Sequence, residues 1–414
     1  MNSPETAPIA DPYSIPIEEL DPSLSELFTQ QLHWDYFKRL REEDPVHYVE
    51  SEEFGPYWSI TRFEDIMYVD SHHQQFSSVP SIVIGEPELD FEPPMFIAMD
   101  PPKHDVQRAA VTPAVKPARL SEVESLIRER TCEVLDSLPV GEPFNWVDRV
   151  SIELTTRMLA TLFDFPFEDR HLLTYWSDVS TSAPTVGHMN ITEEERRDIL
   201  LECLEYFSRL WKERAEAPPA DDFISLLVHH PETRDMEPLE FLGNLMLLIV
   251  GGNDTTRNSM SGGVLFLHQH PEQFAKLRSN PDLIPNMVSE IIRYQTPLAH
   301  MRRIATEDVE LAGKTIRKGD KVVMWYISGN RDDSVIDRPD EYIIDRARAR
   351  HHVSFGFGIH RCMGNRLAEM QLRVIWEEIL KRFDRIEVVG EPERVNSNFV
   401  MGYTDLPVVL HPLS

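Results

Sequence analysis

The sequence predicts a mainly α fold with small β-sheets (α+β), and three observations carry that prediction. Apolar residues recur at three- and four-residue steps through several long segments, the period of a helix face. Strand signals are few and cluster near residues 46–60, 309–326 and the C-terminal end. No Gly/Ser linker, internal repeat or low-complexity block divides the 414 residues, so one large folded unit is expected.

In chain order, Met1 to Ser23 is rich in proline and acid and reads as a flexible N-terminal arm, leaving 24–414 as the single domain. Val46–Val49 and Tyr57–Ile60 carry strand signals, and Ala217–Asp222 (APPADD) reads as a loop. Pro238 suits a helix start and Pro271 stops one, leaving about 33 residues or roughly 50 Å of helix. The middle of that helix, LGNLMLLIV, is apolar on nearly every side, which marks a buried element. A second helix runs from Pro285 to near Pro297 with Met287, Val288, Ile291 and Ile292 facing inward. Val309–Tyr326 reads as strands turning at Gly313 and Gly319. A third helix starts near Met363, its stripe formed by Leu372, Ile375, Trp376, Ile379, Leu380 and Phe383. Ile386–Val389 and Leu406–Leu410 add further strand.

Lys and Arg number 41 against 70 Asp and Glu, a formal charge of −29. Such a surface repels nucleic acid and anionic membrane, which makes both poor general partners. The longest apolar run, Leu245–Val250, falls far short of the roughly 20 residues that span a bilayer. The opening MNSPETAPIADP has neither the basic nor the apolar region of a secretory signal. Three cysteines, Cys132, Cys203 and Cys362, supply neither a disulfide framework nor a four-thiolate iron–sulfur cluster. A cytoplasmic chain is expected, with its redox chemistry on a bound cofactor.

The stretch HVSFGFGIHRCMG, His352 to Gly364, sets one cysteine among three glycines just ahead of the third helix. A thiolate ligand to haem iron needs backbone N–H donors and a nearby helix N-terminus to stay ionised while buried. Cys362 is placed for both. Gly356, Gly358 and Gly364 let the backbone close around the sulfur, and Phe355 would shield it from water. Two other readings compete. A buried structural cysteine is the commonest fate of a lone thiol, but structure alone does not call for so many glycines. A zinc site from His351, His352, His360 and Cys362 has the wrong spacing for paired fingers and no use for the aromatics.

Phe355-Gly356-Phe357-Gly358-Ile359-His360-Arg361-Cys362-Met363-Gly364 resembles the F-G-x-G-x-H-x-C-x-G haem-binding signature of the cytochrome P-450 superfamily. Three further motifs appear in the family's order. Glu290-Ile291-Ile292-Arg293 resembles its E-x-x-R, a pair that meets on one helix face. VGGNDTTRNSM resembles the [A/G]-G-x-[D/E]-T groove where dioxygen binds, with Gly251 in the groove and Asp254 and Thr255 as acid and alcohol. A plainer reading of Gly251-Gly252 is a helix crossing. His104 and Arg108 resemble the H-x-x-x-R that binds haem propionates, and Arg303 and His360 match the remaining propionate positions. One departure stands out: Glu341 lies where many relatives carry an arginine that joins the E-x-x-R pair, leaving Arg338 or Arg346 to substitute.

The resemblance implies the triangular-prism P-450 fold, with haem b held between the long central helix and the helix after Cys362. It implies a monooxygenase that uses O2, with Thr255 hydrogen-bonding the dioxygen or its neighbouring water and Asp254 helping deliver protons. No dinucleotide fingerprint, flavin module or iron–sulfur module is present, so electrons are expected from a [2Fe-2S] ferredoxin and an NAD(P)H-dependent ferredoxin reductase. Arg348, Arg350, Arg361 and Arg366 are the candidate docking patch. LLIVGGNDTTRNSMSGG and PLAHMRR look like the soluble bacterial alkane hydroxylase branch, which oxidises terminal methyls of medium-chain alkanes, alkyl compounds and fatty acids. The candidate lining is apolar: Leu247, Val250, Ala299, Met301, Val400 and Met401, with Ile82, Val83 and Ile97 upstream. A terpenoid, steroid or macrolide hydroxylase is the alternative within the class, and a haem-based sensor or electron carrier the alternative outside it.

Overall fold

The computed structural model describes residues 9–86, 91–182, 189 and 191–413. Helices dominate, and the longest runs Pro238–Gln269 as expected. Every residue of this central helix from Thr256 to Leu267 is buried, which explains its lack of a polar stripe. Pro271 both ends that segment and opens the next helix, Pro271–Ser279. The Glu290 helix spans Ile284–Gln295 and the ligand helix Asn365–Arg382, two residues later than Met363 because Gly364 serves as its N-cap. Both pack on the C-terminal half of the central helix in one core cluster containing Val264, Ile291, Leu372, Ile375, Trp376 and Ile379.

One five-stranded sheet flanks this helical mass, in the order Val46–Ser51, Gly55–Ile60, Lys321–Met324, Met301–Ala305, Phe76–Ser77. Gly55–Ile60 pairs with Lys321–Met324 in parallel and the other neighbours are antiparallel. The expected strand region 309–326 divides in two: a hairpin of Val309–Leu311 and Lys314–Ile316 about Gly313, then Lys321–Met324 in the main sheet. Tyr326 belongs to a short helix, Tyr326–Gly329. The C-terminal strands Phe383–Val388 and Pro407–Pro412 pair with each other. Among the described residues, no helix is long and apolar enough to cross a membrane.

The expected flexible arm is corrected over its described part; residues 1–8 lie outside the described residues. Leu20 is buried in a cluster with Phe28, Phe37 and Trp325, and Ile9, Ile15 and Ile17 pack against it. The Tyr36 hydroxyl donates to Ala10 O, and Arg39 donates to Ile15 O. Burial of Leu20 is worth about 1.5–3 kcal/mol, and the half-buried Ile9, Ile15 and Ile17 add a part of that each.

Candidate active site

The sequence brings the cysteine loop against a helix it does not touch in sequence, Phe63–Ser71. Gly356 and Gly358 have φ of +63° and +64°, the left-handed region. At Gly358 a Cβ would also collide with Asp70 O, so both backbone conformation and space require glycine. Gly364 has φ −89° and a Cβ there meets no protein atom, so protein packing does not explain it. The loop closes through Cys362 N–H donating to Phe355 O at 2.8 Å. Phe355 itself packs into the ligand-helix core, anchoring the loop from behind.

Cys362 is accessible along one side, while protein atoms crowd the sulfur from the others. That crowding raises its pKa above the ordinary thiol value. Opposing it are the backbone N–H groups of Gly364 and Asn365 and the charges of Arg108 and Arg361. The expected N–H donors and helix start are thus in place, but desolvation outweighs them. A metal ion deprotonates a coordinating thiol outright, so a metal held here would supply the ionisation that these N–H groups and arginines do not.

The propionate candidates converge beside the sulfur. His104, on the helix Lys103–Val111, meets His360 edge to face at 4.3 Å between ring centroids. His360 is buried with both ring nitrogens lacking a protein partner, and His104 Nε2 lacks one too. Arg108 Nη2 donates to Arg361 O at 2.5 Å. Burial, followed by the charges of Arg303, His104 and Arg108, pushes the His360 pKa down to about 2. Cations and orphaned donors gathered around one cysteine fit a ligand that carries carboxylates and a thiophilic metal, which describes haem. The zinc reading fails: no group of three or more His, Cys, Asp and Glu side chains could hold a metal among the described residues.

On the central helix the two glycines have different causes. A Cβ at Gly252 would meet Leu159 Cδ2 at 2.7 Å, the helix-crossing reason, whereas one at Gly251 meets nothing. Thr255 Oγ1 donates to Gly251 O at 2.9 Å on the same open face. Asp254 points into the protein, fully buried, 2.5 Å from Arg257 Nη2 and accepting from Ser177 Oγ at 3.3 Å. Arg257 also holds Asp178 at 2.8 Å, on the helix His171–Ser180. Burial works against the guanidinium's charge, but Asp254 and Asp178 outweigh it and raise the Arg257 pKa. The i,i+3 spacing of Asp254 and Arg257 was a legible signal that motif reading passed over; Ser177 and Asp178 had none.

Glu290 and Arg293 form a bidentate pair at 2.8 Å with both side chains fully buried. The third partner is Arg346, 3.1 Å from Glu290 Oε2. Arg338 turns outward to Glu341, whose side chain is exposed. Arg348, Arg350, Arg361 and Arg366 all lie exposed, with Arg350 near Glu369 at 3.3 Å.

The expected lining separates into two groups. Ile82, Val83, Ile97, Leu247, Val250 and Met301 are half-buried. Ala299 and Met401 are core residues of the N-terminal cluster, which corrects their assignment as pocket wall. Val400 is buried in a bridge with Leu298. Local bonds bring these segments together: Arg302 N–H donates to Ile82 O, and Ala299 N–H to Phe399 O.

Residues 112–404 match the model of the family described as Cytochrome P450. The chain belongs to the cytochrome P450 family. It is an enzyme of the monooxygenase type with the P450 fold, and membership implies haem and O2. Its sequence is 36% identical over 408 residues to linalool 8-monooxygenase of Pseudomonas putida, covering 96% of this chain and 100% of that one. It is 31% identical to the methyl-branched lipid omega-hydroxylase of Mycobacterium bovis, covering 90% of each. The solved structure of cytochrome P450-153 from Novosphingobium aromaticivorans superposes with a TM-score of 0.88 at 47% identity, covering 94% of this chain and 99% of that one.

Proposed function

We propose that this P450 hydroxylates the terminal methyl of medium-chain alkanes, alkyl compounds or fatty acids. The likeness that carries this reading is to the methyl-branched lipid omega-hydroxylase, and the resemblance of LLIVGGNDTTRNSMSGG and PLAHMRR to the alkane hydroxylase branch points the same way. Half-buried Ile82, Val83, Ile97, Leu247, Val250 and Met301 offer only apolar side chains to a substrate. A terminal C–H is stronger than its neighbours, so selectivity comes from positioning one methyl rather than from bond strength.

His104, Arg108, Arg303 and His360 would hold the propionates, and Cys362 the iron. When bound, haem b supplies the activation of O2 and the transfer of one oxygen atom to carbon. Thr255 Oγ1 donates its one O–H to Gly251 O and so presents its lone pairs on the open helix face. Asp254 helps deliver protons from behind it, held by Arg257 and Ser177. Electrons arrive from a [2Fe-2S] ferredoxin and its NAD(P)H-dependent reductase at Arg348, Arg350, Arg361 and Arg366, in the cytoplasm.

A terpenoid hydroxylase is the second reading, favoured by the linalool 8-monooxygenase relative. Spin-shift titration against n-alkanes, fatty acids and acyclic terpene alcohols, followed by product regiochemistry with a surrogate ferredoxin system, separates them. Terminal alcohols from alkanes or fatty acids support the proposal. Turnover of terpene alcohols alone replaces it, and absence of a red-shifted carbonyl band in the reduced, CO-bound protein rejects haem-thiolate chemistry altogether.

A further inference from the structure

Asp70 is a fully buried carboxylate, with a side chain 1% exposed, at the end of the helix Phe63–Ser71. Its Oδ1 accepts from Arg303 Nη2 at 2.8 Å. Its Oδ2 accepts from the Tyr326 hydroxyl at 2.8 Å and from Phe357 N–H at 2.7 Å. Its backbone carbonyl lies where a side chain at Gly358 would stand. One residue therefore joins a sheet strand, a short helix and the loop that leads to Cys362.

Packing alone does not account for this arrangement. A buried ion pair is often no more stable than apolar residues of the same volume, so it is a costly way to fill space. What it does provide is direction. Arg303 Nη1 donates to Arg302 O while Nη2 is held by Asp70, so two fixed acceptors set the plane of the guanidinium. The Phe357 amide, five residues before the cysteine, is fixed by the same carboxylate.

We propose that Asp70 is a positioning residue for the haem. It orients Arg303 toward the propionate edge, offsets part of its charge, and ties that orientation to the cysteine loop. This rests on the reading that Arg303 and Cys362 hold the haem. Asparagine keeps the shape of Asp70 but has one acceptor oxygen, so it must turn its amide N–H2 toward Arg303 or toward Tyr326 and Phe357.

The test compares holoenzyme variants Asp70→Asn, Arg303→Gln and the double variant by haem transfer to excess apomyoglobin, midpoint potential and thermal unfolding. Asp70→Asn is expected to release haem about tenfold faster, the loss of one charge-assisted bond, and to shift the potential in the positive direction. In the Arg303→Gln background the same change should add little to release, because the two act as one unit. A merely structural carboxylate would lower the unfolding temperature alike in both backgrounds and leave potential and haem release unmoved; that result overturns the proposal. If Arg303→Gln alters haem release and Asp70→Asn does not, Asp70 has no positioning role while the propionate reading stands. If neither changes it, the propionate reading fails as well. Should Asp70→Asn not fold, Tyr326→Phe removes a single donor and keeps the charge. A smaller acceleration of release is then expected, and release at the wild-type rate rejects the role.

Discussion

Replacing Glu290 by glutamine removes the one negative charge from a site that holds two guanidiniums. Glu290 accepts from Arg293 Nε and Nη2, from Arg346 Nε and from Ile343 N–H, at 2.8 to 3.2 Å. The side chains of Glu290 and Arg293 are 0% exposed and that of Arg346 is 8% exposed. Leaving charges buried without their counter-ion costs about 3–5 kcal/mol. Unfolding entropy of about 2.1 cal/mol/K per residue over 414 residues gives about 0.9 kcal/mol/K, so Glu290→Gln should lower the unfolding temperature by about 3–6 °C. Arg346→Met is a milder change. It leaves a neutral Glu290–Arg293 pair, and the carbonyls Arg346 served at Arg338 and Glu341 lie at the surface, where water replaces it. The loss is then of charge-assisted bonds to Glu290, about 1.5–3 kcal/mol. Glu341→Arg should be nearly neutral, since that exposed side chain pairs with the equally exposed Arg338. Thermal unfolding followed by circular dichroism, with haem content measured alongside, ranks the three. An Arg346→Met variant as unstable as Glu290→Gln, or a Glu341→Arg variant that stabilises by several degrees, would refute the assignment of Arg346 as third partner.

Four further outcomes are expected. Thr255→Ala should cut the fraction of electrons recovered in product by about tenfold while leaving the substrate-induced spin shift in place; full coupling would remove the proton role from Thr255. Gly243→Ala gains about 1 kcal/mol of helix propensity, but its Cβ would lie 2.6 Å from Pro93 O and nearer still to Pro94 O. Rigid backbone overlap costs more, about 1–3 kcal/mol, so a net loss of stability and weaker spin-shift titrations are expected, and a raised unfolding temperature would contradict the contact. Burial holds the His300 pKa down to about 4 against the opposing hydrogen bond to Asn398 O, so the folded chain keeps it neutral while the unfolded chain takes up a proton below about pH 6.5. Its contribution is whole above pH 6.5 and falls by about 3 kcal/mol toward pH 4; the stability gap to His300→Gln should narrow by that amount in urea titrations, and a constant gap would show that His300 does not titrate this way. Arg348→Glu with Arg350→Glu should slow reduction by ferredoxin about tenfold at low salt and converge on wild type at high salt, whereas equal rates at every ionic strength would move the docking site elsewhere.

What was legible in the sequence was the chemistry whose parts are close along the chain. The Phe355–Gly364 signature, His104 with Arg108, Glu290 with Arg293, and Asp254-Thr255 each fall within ten residues; the His104–Arg108 and Glu290–Arg293 pairs share a helix face, whereas Asp254 turns inward and Thr255 outward. The central helix was legible for the same reason, because proline at both ends and an unbroken apolar middle are local facts. The strand Met301–Ala305 was not, since two arginines in MRRIA conceal its alternation. Each serves a different face: Arg302 bonds Gly85 O and Glu86, and Arg303 bonds Asp70.

The residues that hold the site in place come from farther away, and this has a physical cause. A buried charge must be matched by a partner, but nothing requires that partner to be near in sequence. Arg303 finds its counter-ion 233 residues upstream, and Glu290 its second cation 56 residues downstream. Arg257 reaches Asp178 across two helices. Motifs therefore identify which side chains do the chemistry, while the acids that aim them are chosen by topology. The N-terminal segment makes the same point in reverse: Ile9, Ile15, Ile17 and Leu20 are too widely spaced to mark an element, and only the cluster of Phe28 and Trp325 gives them something to pack against. Placement of the reactive groups in this P450 is thus a property of contacts between distant segments, and Asp70, which touches three of them, is where a single substitution should disturb it most.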